Sequence, residues 1–388
     1  MNPKDFQNQD AGKVILTPTG YWAYLPNPLP PDLSWSLSLI SILAEAERDL
    51  SRLAALLAGF PFPRLLIEPF IRNEAVISSR IEGTRTSLSE LLNYEIAQLS
   101  FLEKTGDVHE VYNYVRAMDY GMERLQTLPV SLRLIREIHA RLMEDARGGS
   151  LTPGEFRRSP NWIGPAGSTP TTAPYVPPPV EEMHLALDAF EKFLHADSQI
   201  PPLIRIGLIH YQFEAIHPFL DENGRVGRLL IVILLRAWDL LPQPVLNLST
   251  YIERYRQVYY DRLMGVSQEG AWEEWLQFFL RGISEQARDG IFRINRLQEI
   301  RAGYQPIVEA QRNAVRMAKL VDFLFSHPIL SIKQASQGLD MPLKTAALYL
   351  SKLAKAGIVR ETTGFARNRV YQADEILRII QTIEAPHR

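Results

Sequence analysis

A continuous apolar run at residues 229–235 constrains the fold of this chain more than any other feature of its sequence. The run reads Leu-Leu-Ile-Val-Ile-Leu-Leu, so it predicts a helix without a polar face, which is the pattern of a buried helix. Asn223 or Asp221, a few residues upstream, is a suitable N-cap for this helix. Apolar residues recur at helical spacing through most of the chain, which predicts a mainly α fold class.

The segment that leads into this helix, residues 217–228, combines a base, a carboxylate, a glycine and two arginines. The first turn of a helix has unpaired N–H groups and the positive end of the helix dipole, which together favour an anion. Gly224 allows the backbone to approach that anion, and Arg225 and Arg228, three residues apart, can grip phosphate oxygens from one helical face. Asp221 supplies the oxygen ligand that Mg²⁺ prefers beside phosphates, and His217 can accept a proton near neutral pH. The combination predicts a site that holds a nucleoside triphosphate and moves one of its phosphates.

Each of these residues also has a structural interpretation when it is taken alone. A histidine beside an apolar helix is commonly a hydrogen-bonded core residue, and paired arginines commonly cover a helix surface. The functional interpretation is favoured because all of these residue types occur together, at a spacing that suits phosphate.

The same segment resembles the signature of the Fic family, which reads His, any, Phe, any, Asp or Glu, Gly, Asn, Gly, Arg, any, any, Arg. The residues that match in order and spacing are His217, Phe219, Asp221, Asn223, Gly224, Arg225 and Arg228. Glu222 stands where the family usually has glycine, so it adds a negative charge near the phosphate loop and removes backbone freedom.

The resemblance implies a protein adenylyltransferase, which transfers AMP from ATP, with Mg²⁺, to a Ser, Thr or Tyr hydroxyl of a target protein. It makes His217 the catalytic base and Asp221 the metal ligand. The residues it assigns to ATP binding are Glu222, Asn223, Gly224, Arg225, Val226, Gly227 and Arg228. It also implies a helical bundle with a small β-hairpin flap, and it makes a homodimer plausible.

A second motif, at Ser78, Glu82 and Gly83, resembles the inhibitory motif of the same family. Ser78 and Glu82 are four residues apart, so on a helix they share one face. In the family the glutamate pairs with the second arginine of the signature, here Arg228, and this would misplace the terminal phosphate. The alternative is a surface glutamate on an amphipathic helix.

Two further stretches agree with the family less specifically. Residues 153–157 and 161–164 resemble the approach to the target-docking flap, and the proline-rich residues 168–179 its body and exit. An ordinary proline-rich loop is the alternative. The resemblance also brings a helix over residues 251–260 near the adenine, with Tyr259 and Tyr260 as candidate contacts, although tyrosines at such spacing commonly pack in a core.

The amino-acid composition narrows the classes of protein to which this chain can belong. The 388 residues include no cysteine, which excludes disulfides, cysteine–zinc sites and thiol catalysis, and the formal net charge is −2. Residues 1–10 are polar and lack the apolar core of a secretory signal. The apolar run is too short to cross a bilayer. We therefore expect a cytoplasmic protein without a membrane partner.

The predicted organisation has three parts. Residues 1–105 form a helical region with the inhibitory motif, residues 106–300 the catalytic core, and residues 301–388 a small C-terminal domain. Helices are predicted at 37–57, 64–80, 87–98, 108–125, 131–146, 180–196, 203–216 and 272–301, the last with Gly282 and Gly290 as candidate break points.

The C-terminal part predicts helices at 316–325, 331–337 and 343–356, then two strands at 358–361 and 369–371, an order that resembles a winged helix. DNA is a possible partner, since basic residues lie on the third helix and the wing: Lys344, Lys352, Lys355, Arg367 and Arg369. Self-association or partner docking is the alternative role.

Three other functions stay open at this stage. The site could transfer another nucleotide-derived group, or it could remove AMP from a modified target with help from the inhibitory glutamate. The chain could also be a DNA-binding regulator that senses a nucleotide, although binding phosphate alone needs no base such as His217.

Overall fold

The computed structural model describes residues 1–59, 63–98, 106–145, 152–311, 313–364 and 368–381. These residues form a mainly helical protein with two small antiparallel sheets. The elements, in chain order, are β1 (Gly12–Leu16), β2 (Trp22–Pro26), α1 (Leu37–Ala58), α2 (Pro63–Ile81), α3 (Leu88–Gln98), α4 (Asp107–Arg124), α5 (Leu132–Leu142), α6 (Val180–His195), α7 (Pro202–Ile216), α8 (Asn223–Ala237), α9 (Leu248–Arg254), α10 (Arg256–Glu269), α11 (Trp272–Glu309), α12 (Ala314–Ser326), β3 (Ile329–Ser331), α13 (Ile332–Gly338), α14 (Leu343–Lys355), β4 (Arg360–Glu361), β5 (Val370–Gln372) and α15 (Asp374–Gln381). Within the described ranges, no helix has both the length and the apolar character that crossing a membrane requires.

The chain divides into two compact units, of which the first comprises Met1–Ser51, Asn113–Leu241 and Tyr251–Glu285. Its centre is α8, whose residues 229–235 are all buried, as the apolar run predicts. Helices α5 and α7 pack against α8. Gly121 of α4 also touches it, because a Cβ at Gly121 would lie 2.7 Å from Cδ1 of Ile233.

The N-terminal hairpin β1–β2 belongs to the same unit. It packs on Ala173, Tyr175 and Val176, and the N–H of Tyr24 donates a 2.8 Å hydrogen bond to the carbonyl oxygen of Val176. The hairpin therefore supports the exit of the predicted flap. The flap itself contains one antiparallel bridge, between Ile163 and Tyr175, and no regular strand in its described part, residues 152–179.

The second unit comprises Arg52–Tyr112, Pro242–Thr250 and Gln286–Arg388. Helices α12 and α15 pack on α2, and α3 lies against β3. Strand β5 is the middle strand of the second sheet, with β3 and β4 as its antiparallel neighbours. The element order from α12 to β5 is the one that the sequence predicts for this part, with β3 in addition; its function as a winged helix stays a prediction.

Several predicted elements need correction. Helix α11 is unbroken at Gly282 and Gly290 and continues to Glu309, so the predicted boundary at residue 300 lies inside it. The hairpin β1–β2 was not predicted, although Pro18, Thr19 and Gly20 separate two apolar stretches, and Gly20 has a φ of 84°. The predicted helix 251–260 is two helices, α9 and α10, which are separated at Tyr255. Helix α5 ends at Leu142 rather than near 146, and residue 146 itself lies outside the described residues.

Candidate active site

The loop between α7 and α8, residues 217–222, begins and ends with a left-handed backbone conformation. His217 has φ 49° and ψ 62°, and it is the C-cap of α7. Glu222 has φ 65° and ψ 7°, and it is the N-cap of α8. Because a side chain in this region costs about 1–2 kcal/mol, surrounding contacts must hold both residues in place. Glycine at position 222 would avoid that cost, which explains the family preference physically.

Asn223 closes this loop. Its Oδ1 accepts a 2.9 Å hydrogen bond from the N–H of Phe219, and its Nδ2 donates a 2.9 Å bond to the carbonyl oxygen of the same residue. Asn223 is the first residue of α8 rather than its cap, and the Glu222 side chain makes no capping bond. The predicted cap, Asn223 or Asp221, is therefore wrong, because the amide of Asn223 binds the loop backbone instead.

Asp221 is the exposed acid of the loop. Its Oδ1 accepts a 2.8 Å hydrogen bond from the N–H of Glu222, which fixes the carboxylate at the outer edge of the turn. The side chain thus faces solvent beside the start of α8, and its role as a metal ligand stays a prediction.

The start of α8 carries three buried charged side chains. Glu222, Arg225 and Arg228 are 7%, 6% and 2% exposed, and the Glu222 carboxylate accepts a hydrogen bond from Arg225. A carboxylate at a helix N-terminus lies where an anion is favoured, so Glu222 lies where phosphate is predicted to bind. Val226 is buried and Gly224 half-buried in the same turn.

Gly227 has a packing function in the structure. A Cβ at this position would collide with the Glu214 carboxylate and would approach Cε1 of His210 to 3.3 Å. The missing side chain therefore lets α8 lie close to α7. His210 donates from Nδ1 to the carbonyl oxygen of Gly227 at 3.2 Å, and burial and the positive charge of Arg228 lower its pKa to about 3.

Phe219, the aromatic residue of the signature, is stacked on His139 of α5. The N–H of Gly154 donates a 2.9 Å hydrogen bond to Nδ1 of His139, and burial lowers the pKa of this histidine to about 4. His139 is therefore neutral at pH 7 and connects the approach to the flap with the loop.

His217 itself is half-buried, and its backbone is held from two sides. Its N–H donates a 3.0 Å bond to the carbonyl oxygen of Phe213 within α7. Its own carbonyl oxygen accepts bonds from Nε of Arg157 at 2.9 Å and from Nδ2 of Asn161 at 3.3 Å. Sequence analysis places Arg157 and Asn161 in the approach to the flap and does not single out His139, because nothing in their local sequence shows which distant backbone they bind.

The two candidate adenine contacts differ in the structure. Tyr259 is buried, and its hydroxyl lies 2.8 Å from Nε2 of His210. Tyr260 is 39% exposed and lies under Arg256, whose Cζ is 5.8 Å from the ring centroid. Tyr259 thus has the packing environment of a core residue, whereas Tyr260 is accessible to a ligand; contact of either with a nucleotide stays a prediction.

The candidate inhibitory motif lies at the C-terminus of α2. The N–H of Gly83 bonds to the carbonyl of Arg80 at 3.0 Å and the N–H of Thr84 to that of Ser79 at 3.2 Å, with φ of Gly83 at 104°. This is a Schellman ending, in which Glu82 is the C-cap and Gly83 supplies the left-handed residue. Ser78 is buried inside the helix and Glu82, directly after its last residue, is exposed, and their sharing of one helical face stays a prediction. The pairing of Glu82 with Arg228 stays a prediction.

The basic residues of the C-terminal part differ in exposure and in their surroundings. Lys344 and Lys355 are exposed and Lys352 is half-buried, but Leu343 and Leu348 are also exposed on the same helix, α14. The positive charge of Arg369 lies near Glu361, and Arg367 lies outside the described residues. DNA binding by this part stays a prediction.

The fold and the loop together define a class: a helical protein in which a histidine ends one helix and a short loop leads from it to the next helix, whose start carries two buried arginines. Family comparisons agree with this class. The Fic/DOC family N-terminal model matches residues 40–123, and the Fic/DOC family model matches residues 129–235. These two regions of the chain are therefore a Fic/DOC N-terminal region and a Fic/DOC region.

Curated relatives include proteins described as protein adenylyltransferase Fic from Drosophila erecta and Drosophila melanogaster. They are 30% and 29% identical over 168 residues, which are 40% of this chain and 30% and 31% of the relatives. The chain thus spans about a third of the length of the curated relatives it matches.

Solved structures share the fold. A Fic family protein from Desulfovibrio desulfuricans G20 matches 92% of this chain and 100% of its own, with a TM-score of 0.55 and 19% identity. Fic-1 from C. elegans matches 66% of this chain and 74% of its own, with a TM-score of 0.50 and 19% identity.

Proposed function

We propose that this protein is an adenylyltransferase that transfers AMP from ATP to a Ser, Thr or Tyr hydroxyl of a target protein. The observation that carries the proposal is the position of His217. It is the left-handed C-cap of α7, and a closed loop separates it from the start of α8, where Arg225 and Arg228 are buried. A base beside a phosphate-binding helix start is the arrangement that nucleotidyl transfer needs.

His217 and the two arginines at the start of α8 each have a role in this reaction. The triphosphate lies over the start of α8, with Arg225 and Arg228 on its oxygens. The target hydroxyl gives its proton to the His217 imidazole, and its oxygen forms a bond to the α-phosphorus. The bond from that phosphorus to the bridging oxygen of the β-phosphate breaks, and pyrophosphate leaves. Positioning and charge stabilisation supply most of the acceleration, and proton abstraction supplies about 10²–10⁴-fold.

Magnesium fits this site as a partner of the nucleotide. Asp221 offers one exposed carboxylate, and the described residues contain no cluster of three acidic or imidazole side chains that could hold a metal. Mg²⁺ is commonly bound by one or two carboxylates together with substrate phosphates, and this donor set suits that mode. Asp221 would hold the ion, which supplies positive charge to the phosphates when bound.

Autoinhibition by Glu82 is part of the proposal. Glu82 is held at a defined helix end by the Schellman motif with Gly83, and it is exposed. In the family pattern its carboxylate pairs with Arg228 and displaces the terminal phosphate. Removal of the carboxylate should then raise the transfer rate.

The position of the label on the product tests the proposal. The protein is incubated with Mg²⁺ and ATP that carries the label on either the α- or the γ-phosphate, in the Glu82→Gly background. AMP transfer leaves only the α-label on protein, together with free pyrophosphate. A γ-label on protein, or no label from either donor despite ATP binding, would overturn AMP transfer from ATP.

The reverse reaction is tested separately. Pre-modified target is incubated with Mg²⁺ and without ATP, and free AMP is measured. AMP release that needs both His217 and Glu82 would assign the hydrolytic direction to this site instead.

A further inference from the structure

Arg157 is a buried arginine whose hydrogen bonds all go to backbone carbonyl oxygens. It is 1% exposed. Its Nε donates to His217 at 2.9 Å, one terminal nitrogen to Pro178 at 2.5 Å and to Ile216 at 3.5 Å, and the other to Ser159 at 3.3 Å. Burial lowers the pKa of its guanidinium to about 10. A buried cation with no carboxylate partner among the described residues is costly, so its fork of donors must serve a geometry that an apolar side chain cannot provide.

Arg157 holds the backbone at the end of α7 and in the loop that follows. The carbonyl oxygens of Ile216 and His217 accept from the Arg157 side chain, and that of Pro218 accepts from the Arg157 N–H at 2.9 Å. The amide of Asn161 donates to His217 at 3.3 Å and to Phe219 at 2.8 Å. Every carbonyl from residue 216 to residue 219 is thus held by Arg157 or Asn161.

Arg157 and Asn161 together are called the clamp here, and both of them donate a hydrogen bond to the carbonyl oxygen of His217. This residue has a positive φ, which a side-chain-bearing residue keeps only where its surroundings hold it. The direction of the imidazole depends on that backbone. A change of φ at this residue would move the ring nitrogen that must meet the target hydroxyl.

The same guanidinium also holds both ends of the predicted flap. Ser159 lies in the approach to the flap and Pro178 in its exit, and each gives its carbonyl oxygen to Arg157. One side chain therefore fixes the base and the segment predicted to dock the target relative to each other. Near-attack geometry of this kind is sensitive, because a displacement of about 1 Å can reduce a rate by about 10²-fold.

We propose that Arg157 is a positioning residue that sets the orientation of His217 relative to the flap, and that Asn161 supports the same backbone through its own hydrogen bonds. The inference rests on the proposed function, since it assigns His217 as the base. The clamp does not bind the start of α8, so it acts on the rate of transfer and leaves nucleotide affinity nearly unchanged. A merely structural arginine would instead affect melting temperature and ATP affinity together.

The test compares Arg157→Gln and Arg157→Lys with Arg158→Gln, all in the Glu82→Gly background. Arg158 is the matched control, because it is the adjacent arginine, its side chain is 82% exposed, and it pairs with Glu155 at 2.8 Å. The measurements are kcat and KM for labelled-AMP transfer and the dissociation constant for ATP. We expect Arg157→Gln to lower kcat by about 10²-fold with ATP affinity within about twofold. Arg157→Lys keeps the positive charge but not the planar fork of donors, so its kcat should fall by less. Arg158→Gln should leave kcat unchanged.

Asn161→Ala is the second variant, in case Arg157→Gln does not fold. It removes two bonds at a half-buried position and should lower kcat several-fold at unchanged ATP affinity. Unchanged kcat in folded Arg157→Gln, or a loss of ATP affinity as large as the loss of kcat, would overturn the inference.

Hydrogen exchange distinguishes a failure of this inference from a failure of the proposed function. Backbone amides of residues 213–222 are followed by mass spectrometry in the same variants. The clamp predicts at least tenfold faster exchange in Arg157→Gln than in Arg158→Gln, whether or not the parent transfers AMP. If the parent transfers no AMP while the exchange difference is present, the proposed function fails and the clamp stands; equal exchange rates would refute the clamp itself.

Discussion

The imidazole of His139 lies face to face on the phenyl ring of Phe219, with 3.8 Å between the ring centroids and 4° between their planes. This contact joins α5 to the loop that carries Asp221. It keeps the histidine away from water, and burial lowers its pKa to about 4. His210, buried between α7 and α8, has its pKa lowered to about 3. Both rings are neutral in the folded protein at pH 7.

Acid should destabilise the first unit through these two histidines. The unfolded chain binds their protons near pH 6.5, whereas the folded chain binds them only near pH 4 and pH 3. The free energy of unfolding therefore falls as the pH drops from 6.5 towards 4, by about 3 kcal/mol for each histidine. Denaturant unfolding at several pH values measures the slope. His139→Gln should flatten the slope and His195→Gln, at an exposed position, should not; an equal slope in all three proteins would contradict the account.

Glu222 should compete with the nucleotide for Arg225. The two side chains are paired and buried at the start of α8, where the phosphates are proposed to bind. Glu222→Gly and Glu222→Gln should each tighten ATP binding by about tenfold, which is about 1.4 kcal/mol. Isothermal titration provides the dissociation constants. Because glutamine keeps the left-handed backbone and removes the charge, a gain in the glycine variant alone would assign the effect to backbone strain, and weaker binding in both would mean that Glu222 helps to bind the ligand.

Gly227→Ala should crowd the space between α8 and α7. A methyl group there displaces the Glu214 carboxylate and presses on His210, and such overpacking costs about 1–3 kcal/mol. Thermal melting should show the loss, together with weaker ATP binding. Gly265→Ala in α10 is the matched control, since its Cβ would lie at an ordinary 3.6 Å from Cβ of Ala271. Equal melting temperatures for the two variants would exclude the close approach of α7 and α8 as the reason for glycine at 227.

Tyr259 and Tyr260 should respond differently to loss of their hydroxyl groups. Tyr259→Phe leaves Nε2 of His210 buried without its 2.8 Å partner, so the free energy of unfolding should fall by about 1–3 kcal/mol. Tyr260→Phe, at a position that is 39% exposed, should lower it by less. Chemical denaturation distinguishes the two, and equal losses would show that the hydrogen bond to His210 contributes little.

The local sequence predicts those parts of the site that depend on neighbouring residues. The apolar run at 229–235 predicts a buried α8, and the spacing of Arg225 and Arg228 predicts two arginines on one face near the start of that helix. Helix ends marked by capping residues are also predictable, as at Ser131, whose Oγ accepts from the N–H of Leu134 before α5.

The remaining features depend on contacts between distant parts of the chain. Arg157 binds the carbonyl oxygen of a residue 60 positions later, and no local pattern reveals this pairing. The left-handed conformations at His217 and Glu222 are imposed by such contacts on residues that do not favour them. The spacing of Ser78 and Glu82 predicts that Glu82 lies on α2. Spacing alone does not show that the helix ends at Gly83.

Self-labelling with ATP that carries the label on its α-phosphate tests the central claim most directly. Wild type, Glu82→Gly and His217→Ala, the last also in the Glu82→Gly background, are incubated side by side with Mg²⁺. Glu82→Gly keeps Gly83 and hence the end of α2, so a change in activity reports the carboxylate rather than the helix end. The account predicts weak labelling of wild type, strong labelling of Glu82→Gly and near-complete loss in both His217→Ala proteins. Equal labelling in all four proteins, or none in any of them despite ATP binding, would contradict it.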